Sequence, residues 1–271
     1  FGIDEKTYRR VLSILRTHLD VVEKKMSANQ WSTIEYAGVS SRANLVYNSA
    51  FLKHDEMRRR QFLSAVEKGE TKINSGTNFP HDILAKYNGS RIKDEGIEML
   101  WKALPNYGNL ENTLVVADGS GSMSMMTIGN TKILPLDVAN SLAIYFAEHC
   151  EGGFKNKYIT FSSRPQLVDL GTGSLLSKKI IAQKYCEAAN TNIQAVFELI
   201  LNTAINGRMK QSELPSTVLV LSDMEFDSCT YGRRPDKTLF AQLATKYAEH
   251  GYKLPKLAFW NIMSRTMTVP V

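Results

Sequence analysis

The sequence predicts an α/β fold, a doubly wound and mainly parallel sheet, preceded by an all-α domain. Three observations carry that reading. Residues 1–110 repeat apolar side chains at spacings of three and four, the period of a helix with one buried face. From Thr113 onward, short apolar runs rich in β-branched residues alternate with helical stretches. Those runs are apolar throughout and do not alternate, as expected of parallel strands covered on both faces. The change of grammar falls at residues 106–112, around Gly108, so a helical region over 1–110 and an α/β domain over 113–271 are expected.

In the helical region, Tyr8, Val11, Leu12, Leu15, Leu19 and Val22 mark one helix over 5–26. Ser27 and Gln30 resemble a capping box before a weak helix at 31–36. Helices follow over 41–51 and 54–68, the second stopped by Gly69. Residues 72–79 are rich in Asn, Gly and Thr and read as a loop, and Pro80 opens a short helix to Tyr87. A last helix over 92–104 ends before Pro105. Several short helices with tight turns suit a packed helical array.

In the second half, strands are expected at 113–117, 157–161, 166–170, 217–221 and 256–262. Helices are expected at 133–150, 175–188, 193–205 and 237–250. In such open sheets, ligands sit beyond the carboxyl ends of the strands, where strand order reverses. Asp118 ends the first strand in "VADGSGSM", and Asp223 ends the fourth in "LVLSDMEFD". Carboxylates at the tips of buried strands are costly unless a cation or hydrogen bonds compensate them. Ser120 and Ser122 follow Asp118 at alternate positions, so both hydroxyls can turn inward from one loop. These hydroxyls are open to two readings: cation ligands, or caps for the segment that follows.

This constellation resembles the von Willebrand factor type A domain and its metal-ion-dependent adhesion site. Asp118-Gly-Ser120-Gly-Ser122 matches the Asp-x-Ser-x-Ser element. Thr191 in "AANTNIQAVF" and Asp223 match the other two elements in order. The resemblance implies a site of Asp118, Ser120, Ser122, Thr191 and Asp223 for magnesium or manganese, with one position left for a carboxylate from a protein partner. Hard oxygen donors suit those ions. The phrases "FLKHDEMRRRQFLSAVEKGETKIN", "SDMEFD", "NTNIQAVF" and "LAFWNI" are similar to a little-characterised family of bacteria, plants, fungi and viruses that joins a helical part to such a domain. The design also resembles, more distantly, the Ro ribonucleoproteins (TROVE-type), in which a helical-repeat ring binds RNA. Against the von Willebrand A pattern, a sixth strand and closing helix are expected to be missing after "LAFWNI".

The bulk numbers fit a globular protein: 43% hydrophobic and 22% charged residues over 271 positions, enough for one or two cores. No apolar run approaches the roughly 20 residues that cross a bilayer, so no membrane partner is expected. Three widely spaced cysteines, with no CxxC pair, fit a reducing intracellular, cytoplasmic setting. The net charge of +6 permits nucleic-acid contact without indicating it. Lys53 with Arg58, Arg59 and Arg60 is the densest basic cluster; it reads as an exposed helix face or as a phosphate-binding patch for RNA.

Enzyme motifs are weak. Gly119-Ser120-Gly121 has the wrong spacing for a nucleophile elbow, and no phosphate loop is present. Glu225 and Asp227 could join Asp118 in a metal-dependent phosphoesterase, but a solvated loop is the plainer reading, as is a passive Cys229. Met123, Met125 and Met126 read as packing or as an adaptable apolar rim. The leading expectation is a non-enzymatic, metal-dependent protein-binding module, with an RNA-binding protein as the alternative.

Overall fold

A computed structural model describes residues 2–107, 112–185, 192–223 and 237–263. The chain divides into two compact units, Phe1–Phe79 with Lys93–Pro105, and Pro80–Ile92 with Asn106–Val271. A helical N-terminal region is thus followed by an α/β sheet. The short helix α6 (Pro80–Leu84), expected as part of the helical array, groups with the sheet unit.

In the first unit, α1 (Glu5–His18) starts on Asp4, whose side chain accepts a hydrogen bond from the Thr7 amide at 3.0 Å. The single helix expected over 5–26 is broken. Asp20 takes a left-handed φ of 48° and the chain restarts as α2 (Val22–Ser27). The expected helix at 31–36 shrinks to a single 3-10 turn, Trp31–Thr33. The 41–51 helix is likewise two pieces, α3 (Ser41–Val46) and α4 (Asn48–His54), joined at Tyr47. α5 (Glu56–Glu67) closes at Gly69, whose φ of 76° only glycine adopts at no cost. α7 (Glu95–Lys102) is capped by Asp94, which accepts from the Ile97 amide at 3.1 Å. Ile34, Tyr36, Val39, Ala43 and Phe51 form the core of this unit.

The second unit is a five-stranded sheet of β1 (Thr113–Asp118), β2 (Lys157–Phe161), β3 (Leu167–Asp169), β4 (Thr217–Ser222) and β5 (Lys256–Asn261). The spatial order is β3-β2-β1-β4-β5, parallel except for the β2–β3 pair. The chain moves outward from β1 to β2 on one side and returns to β4 on the other. The reversal of order therefore lies between β1 and β4.

Helices cover both faces. α8 (Ser122–Met125) is a single turn that follows β1, and α9 (Pro135–His149) packs on β1, β2 and β4. Ala139, Ala143 and Ala147 recur every four residues on α9 and are buried, so small side chains let it approach the sheet. α10 (Leu175–Lys184) and α6 pack beside α9. Lys179 on α10 donates to the Leu84 carbonyl at 3.3 Å and to Asn88, tying the 80–92 segment into this unit. On the opposite face, α11 (Ile193–Asn206) and α12 (Lys237–Glu249) supply Val196, Phe197, Ile200, Leu243 and Tyr247. These meet Leu114, Val116, Ile159, Phe161, Val218 and Val220 of the strands. The expectation that a sixth strand and closing helix are missing concerns residues after 263, which lie outside the described residues.

Candidate metal centre

Period-two geometry decides where the polar tips point. Leu114 and Val116 of β1 and Val218 and Val220 of β4 face α11 and α12. Asp118 and Ser222 continue those two rows. Ala117 pairs with Leu221, so Asp118 and Ser222 sit side by side one residue further on. Ser222 Oγ donates to Asp118 Oδ2 at 2.6 Å, and the Ser120 amide donates to Asp118 Oδ1 at 2.8 Å. Both carboxylate oxygens are therefore held. The hydroxyls of Ser120 and Ser122 lie 3.0 Å apart, so the two side chains converge, as their alternate spacing requires.

Asp118 is 3% exposed and Asp223, just past the end of β4, 4% exposed, at the tips of the two strands that flank the reversal point. Burial is the main reason the Asp118 carboxyl is raised above its ordinary range; the charge of Asp223 pushes the same way, while the bonds from Ser222 and Ser120 pull it back. Two buried carboxylates that repel one another, and two hydroxyls on the loop after Asp118, offer oxygen donors alone. That chemistry fits a hard divalent cation. Among the described residues there is no group of three His, Cys, Asp or Glu side chains that could hold a metal. The fit accordingly rests on two carboxylates and hydroxyls, and a thiolate or imidazole site is not indicated among those residues.

Thr191 lies outside the described residues, as do Glu225, Asp227, Cys186 and Cys229. The methionines after the motif divide. Met123 is fully buried, whereas Met125 and Met126 are exposed beside the Asp118 loop.

Sequence reasoning passed over three polar residues at the same level of the sheet. Ser222 is fully buried against Asp118. Ser162 directly follows β2, and its buried Oγ has no hydrogen-bond partner among the described residues. Asn261 pairs with Ser222 across β4 and β5 and accepts from the Met263 amide at 2.9 Å. For Ser222 a signal existed. Its parity with Val218 and Val220 puts it on the face that Leu114 and Val116 assign to Asp118.

The basic cluster is not one exposed face, and this corrects the sequence reading. Arg59 is fully buried in the first unit. Its guanidinium lies 5.1–5.4 Å from the ring centres of Tyr36, Phe51 and Phe62. It donates to Asn44 Oδ1 at 3.0 Å and to Asn48 Oδ1 at 3.2 Å. Desolvation pulls its pKa down to about 10, so it stays charged at neutral pH. Arg58 donates to Asp55 at 2.9 Å and to the carbonyls of Trp31 and Ile34. Lys53 and Arg60 face solvent, with Arg60 bound to Glu56 and Glu95. Consecutive residues on a helix fan out by about 100° each, so three arginines in a row cannot share one face.

Residues 112–271 match a family described as domain of unknown function DUF7788, and residues 3–111 match domain of unknown function DUF2828. The chain is 30% identical over 289 residues to uncharacterized protein L728 of Acanthamoeba polyphaga mimivirus. That match covers 100% of this chain and 49% of the relative, so the chain spans about half the length of the curated relative it matches.

Proposed function

This chain belongs to the DUF7788 family through residues 112–271, and we propose that it is a non-enzymatic binding module whose α/β domain works as a von Willebrand A-type metal-dependent site. Asp118, Ser120 and Ser122 would hold magnesium or manganese, with Asp223 and Thr191 completing the protein's share. A bound cation would supply a positive charge able to accept a carboxylate from a protein partner. The observation that supports this reading is the pair of buried carboxylates, Asp118 and Asp223, on neighbouring strand tips, with the Ser120 and Ser122 hydroxyls converged on the loop that follows Asp118. Without a cation that pair is a buried repulsion; with one, two negative charges balance a divalent ion.

The test is calorimetric titration of the full chain with magnesium and with manganese, beside Asp118→Ala. Saturable binding that the variant loses is expected, and equal affinity in both proteins would refute the assignment. Capture of protein partners from native extract, with magnesium against chelator, then tests the partner class.

The RNA-binding alternative is left with less surface to work with. Arg59 is consumed by the core and Arg58 by Asp55 and two carbonyls, leaving Lys53 and Arg60 as the exposed members of the cluster. The phosphoesterase alternative depends on Glu225 and Asp227, outside the described residues. Among the described residues no helix is long and apolar enough to cross a membrane.

A further inference from the structure

We infer that Ser222, which is not among the five proposed ligands, is the positioning residue that makes Asp118 and Asp223 act as one site; the inference rests on the metal-site reading above. Ser222 carries no charge and is fully buried at the end of β4. Its single hydroxyl proton goes to Asp118 Oδ2 across the β1–β4 seam at 2.6 Å. An ionised carboxylate offers about two lone-pair directions on each oxygen. The Ser120 amide takes one on Oδ1 and Ser222 takes one on Oδ2. Two donors on different oxygens fix the plane of the carboxylate, and so fix the directions left for a cation.

Ser222 also has a second, covalent link to the site, since it directly precedes Asp223. The backbone that presents Asp223 is therefore the backbone that orients Asp118. A bond across two strands makes the spacing of the two carboxylates a property of the sheet and not of the loops. Ser222 is held in turn from the far side, where the Ile262 amide donates to the Ser222 carbonyl at 2.9 Å. Residues in this outer position typically change metal affinity 10- to 100-fold when replaced.

The experiment uses the full chain, with magnesium and manganese alone as probes, titrated by calorimetry into wild type, Ser222→Ala, Ser222→Cys and Ser222→Thr. Metal-free melting is recorded for each. Ser222→Ala should bind 10- to 100-fold more weakly, on the scale of outer-shell replacements. Ser222→Thr, which keeps a hydroxyl donor, should recover most of the affinity. Ser222→Cys, close in shape but a weak donor, should resemble Ser222→Ala, and it serves the same comparison if Ser222→Ala does not fold. A purely structural role would lower melting of Ser222→Ala and Ser222→Cys while leaving the affinity of the folded protein at the wild-type value, and that result overturns the inference. Wild-type protein that binds neither ion overturns the metal reading and this inference together. Wild-type binding with unchanged affinity in Ser222→Ala and Ser222→Cys overturns this inference alone.

Discussion

Each unit buries a charge, and the two are handled in opposite ways. In the helical unit, Arg59 sits among three aromatic rings and two asparagine side chains. Asn48 passes the interaction on, donating to both oxygens of Asp94 at 2.9 and 3.0 Å. The positive charge thus meets its countercharge through one amide, inside the same chain. In the sheet unit, Asp118 has a like charge, Asp223, as its charged neighbour. A buried charge answered by the chain itself is part of the fold. Asp118 is instead met by two hydrogen bonds, from the Ser222 hydroxyl and the Ser120 amide, and by a like charge, and the proposed metal site rests on that contrast.

The sharpest break in this comparison is Arg59→Ala. Removing one member of a buried charged network typically costs about 3–5 kcal/mol. Here it would strand the Asn44 and Asn48 oxygens and open space between Tyr36, Phe51 and Phe62. Denaturant unfolding is the measurement. Arg59→Met strands the same two oxygens but refills the space between the rings, so it should lose less. A loss under about 1 kcal/mol for Arg59→Ala, the range of an exposed ion pair, would mean that the network does not hold the helical unit together.

Asp118→Asn is next. In wild type, cation at 100 times its dissociation constant should add about 2.7 kcal/mol of stability, and the variant should gain none of it. Without metal the sign reverses. The folded Asp118 carboxyl is raised above its ordinary value of 3.8, chiefly by burial. A raised carboxyl contributes stability while protonated at low pH, and loses it as pH rises through the folded value. Asparagine does not titrate. The metal-free variant should therefore match wild type in acid and become the more stable of the two as pH rises past that window. Melting curves across pH in the presence of chelator measure this. A wild type that gains on the variant with rising pH would contradict a buried repulsion.

Gly96→Ala touches the helical network from outside. A Cβ at 96 would collide with the Asn48 side-chain amide, and Asn48 is the link between Arg59 and Asp94. Crowding a packed site costs about 1–3 kcal/mol, despite the better helix propensity of alanine. Unfolding of this variant beside Arg59→Ala and the double variant shows whether the two share one network. Losses that simply add would mean that they do not.

The two regions also differ in how far they could be read from sequence. The buried strands were legible because apolar runs around Val115, Ile159 and Leu219 have a single sensible use. Asp118, Ser120 and Ser122 were legible because the spacing is local. Arg59 was not. Three consecutive arginines read as a solvated face, and the rings that enclose the middle one come from positions 36, 51 and 62, which only folding brings together. The breaks at Asp20 and Tyr47 were hidden for a related reason. Apolar spacing of three and four continues across both, while the backbone turn at Asp20 depends on a left-handed conformation that the residue type permits but does not require. The grouping of 80–92 with the sheet depends on Lys179 reaching Leu84 and Asn88, a contact between residues about ninety positions apart.

The smallest effect expected is also the one that weighs most on the RNA alternative. Lys53→Gln with Arg60→Gln removes the two exposed members of the basic cluster. Arg60 is held by Glu56 and Glu95 at a solvated surface, where ion pairs contribute little. Melting should not change measurably. If the protein binds through its metal site, affinity for single-stranded RNA should be weak in wild type and no weaker in the variant, with the same dependence on salt. If this surface binds RNA phosphates, each lost contact should reduce the slope of log affinity against log salt by about 0.7. The double variant would then lose about 1.4 from that slope across all sequences alike, since phosphate contacts carry no sequence information. Titrations at three salt concentrations distinguish the two outcomes. A slope that falls by this amount would give the helical unit a role in binding, and would make the buried Arg59 the anchor of an RNA-contacting helix.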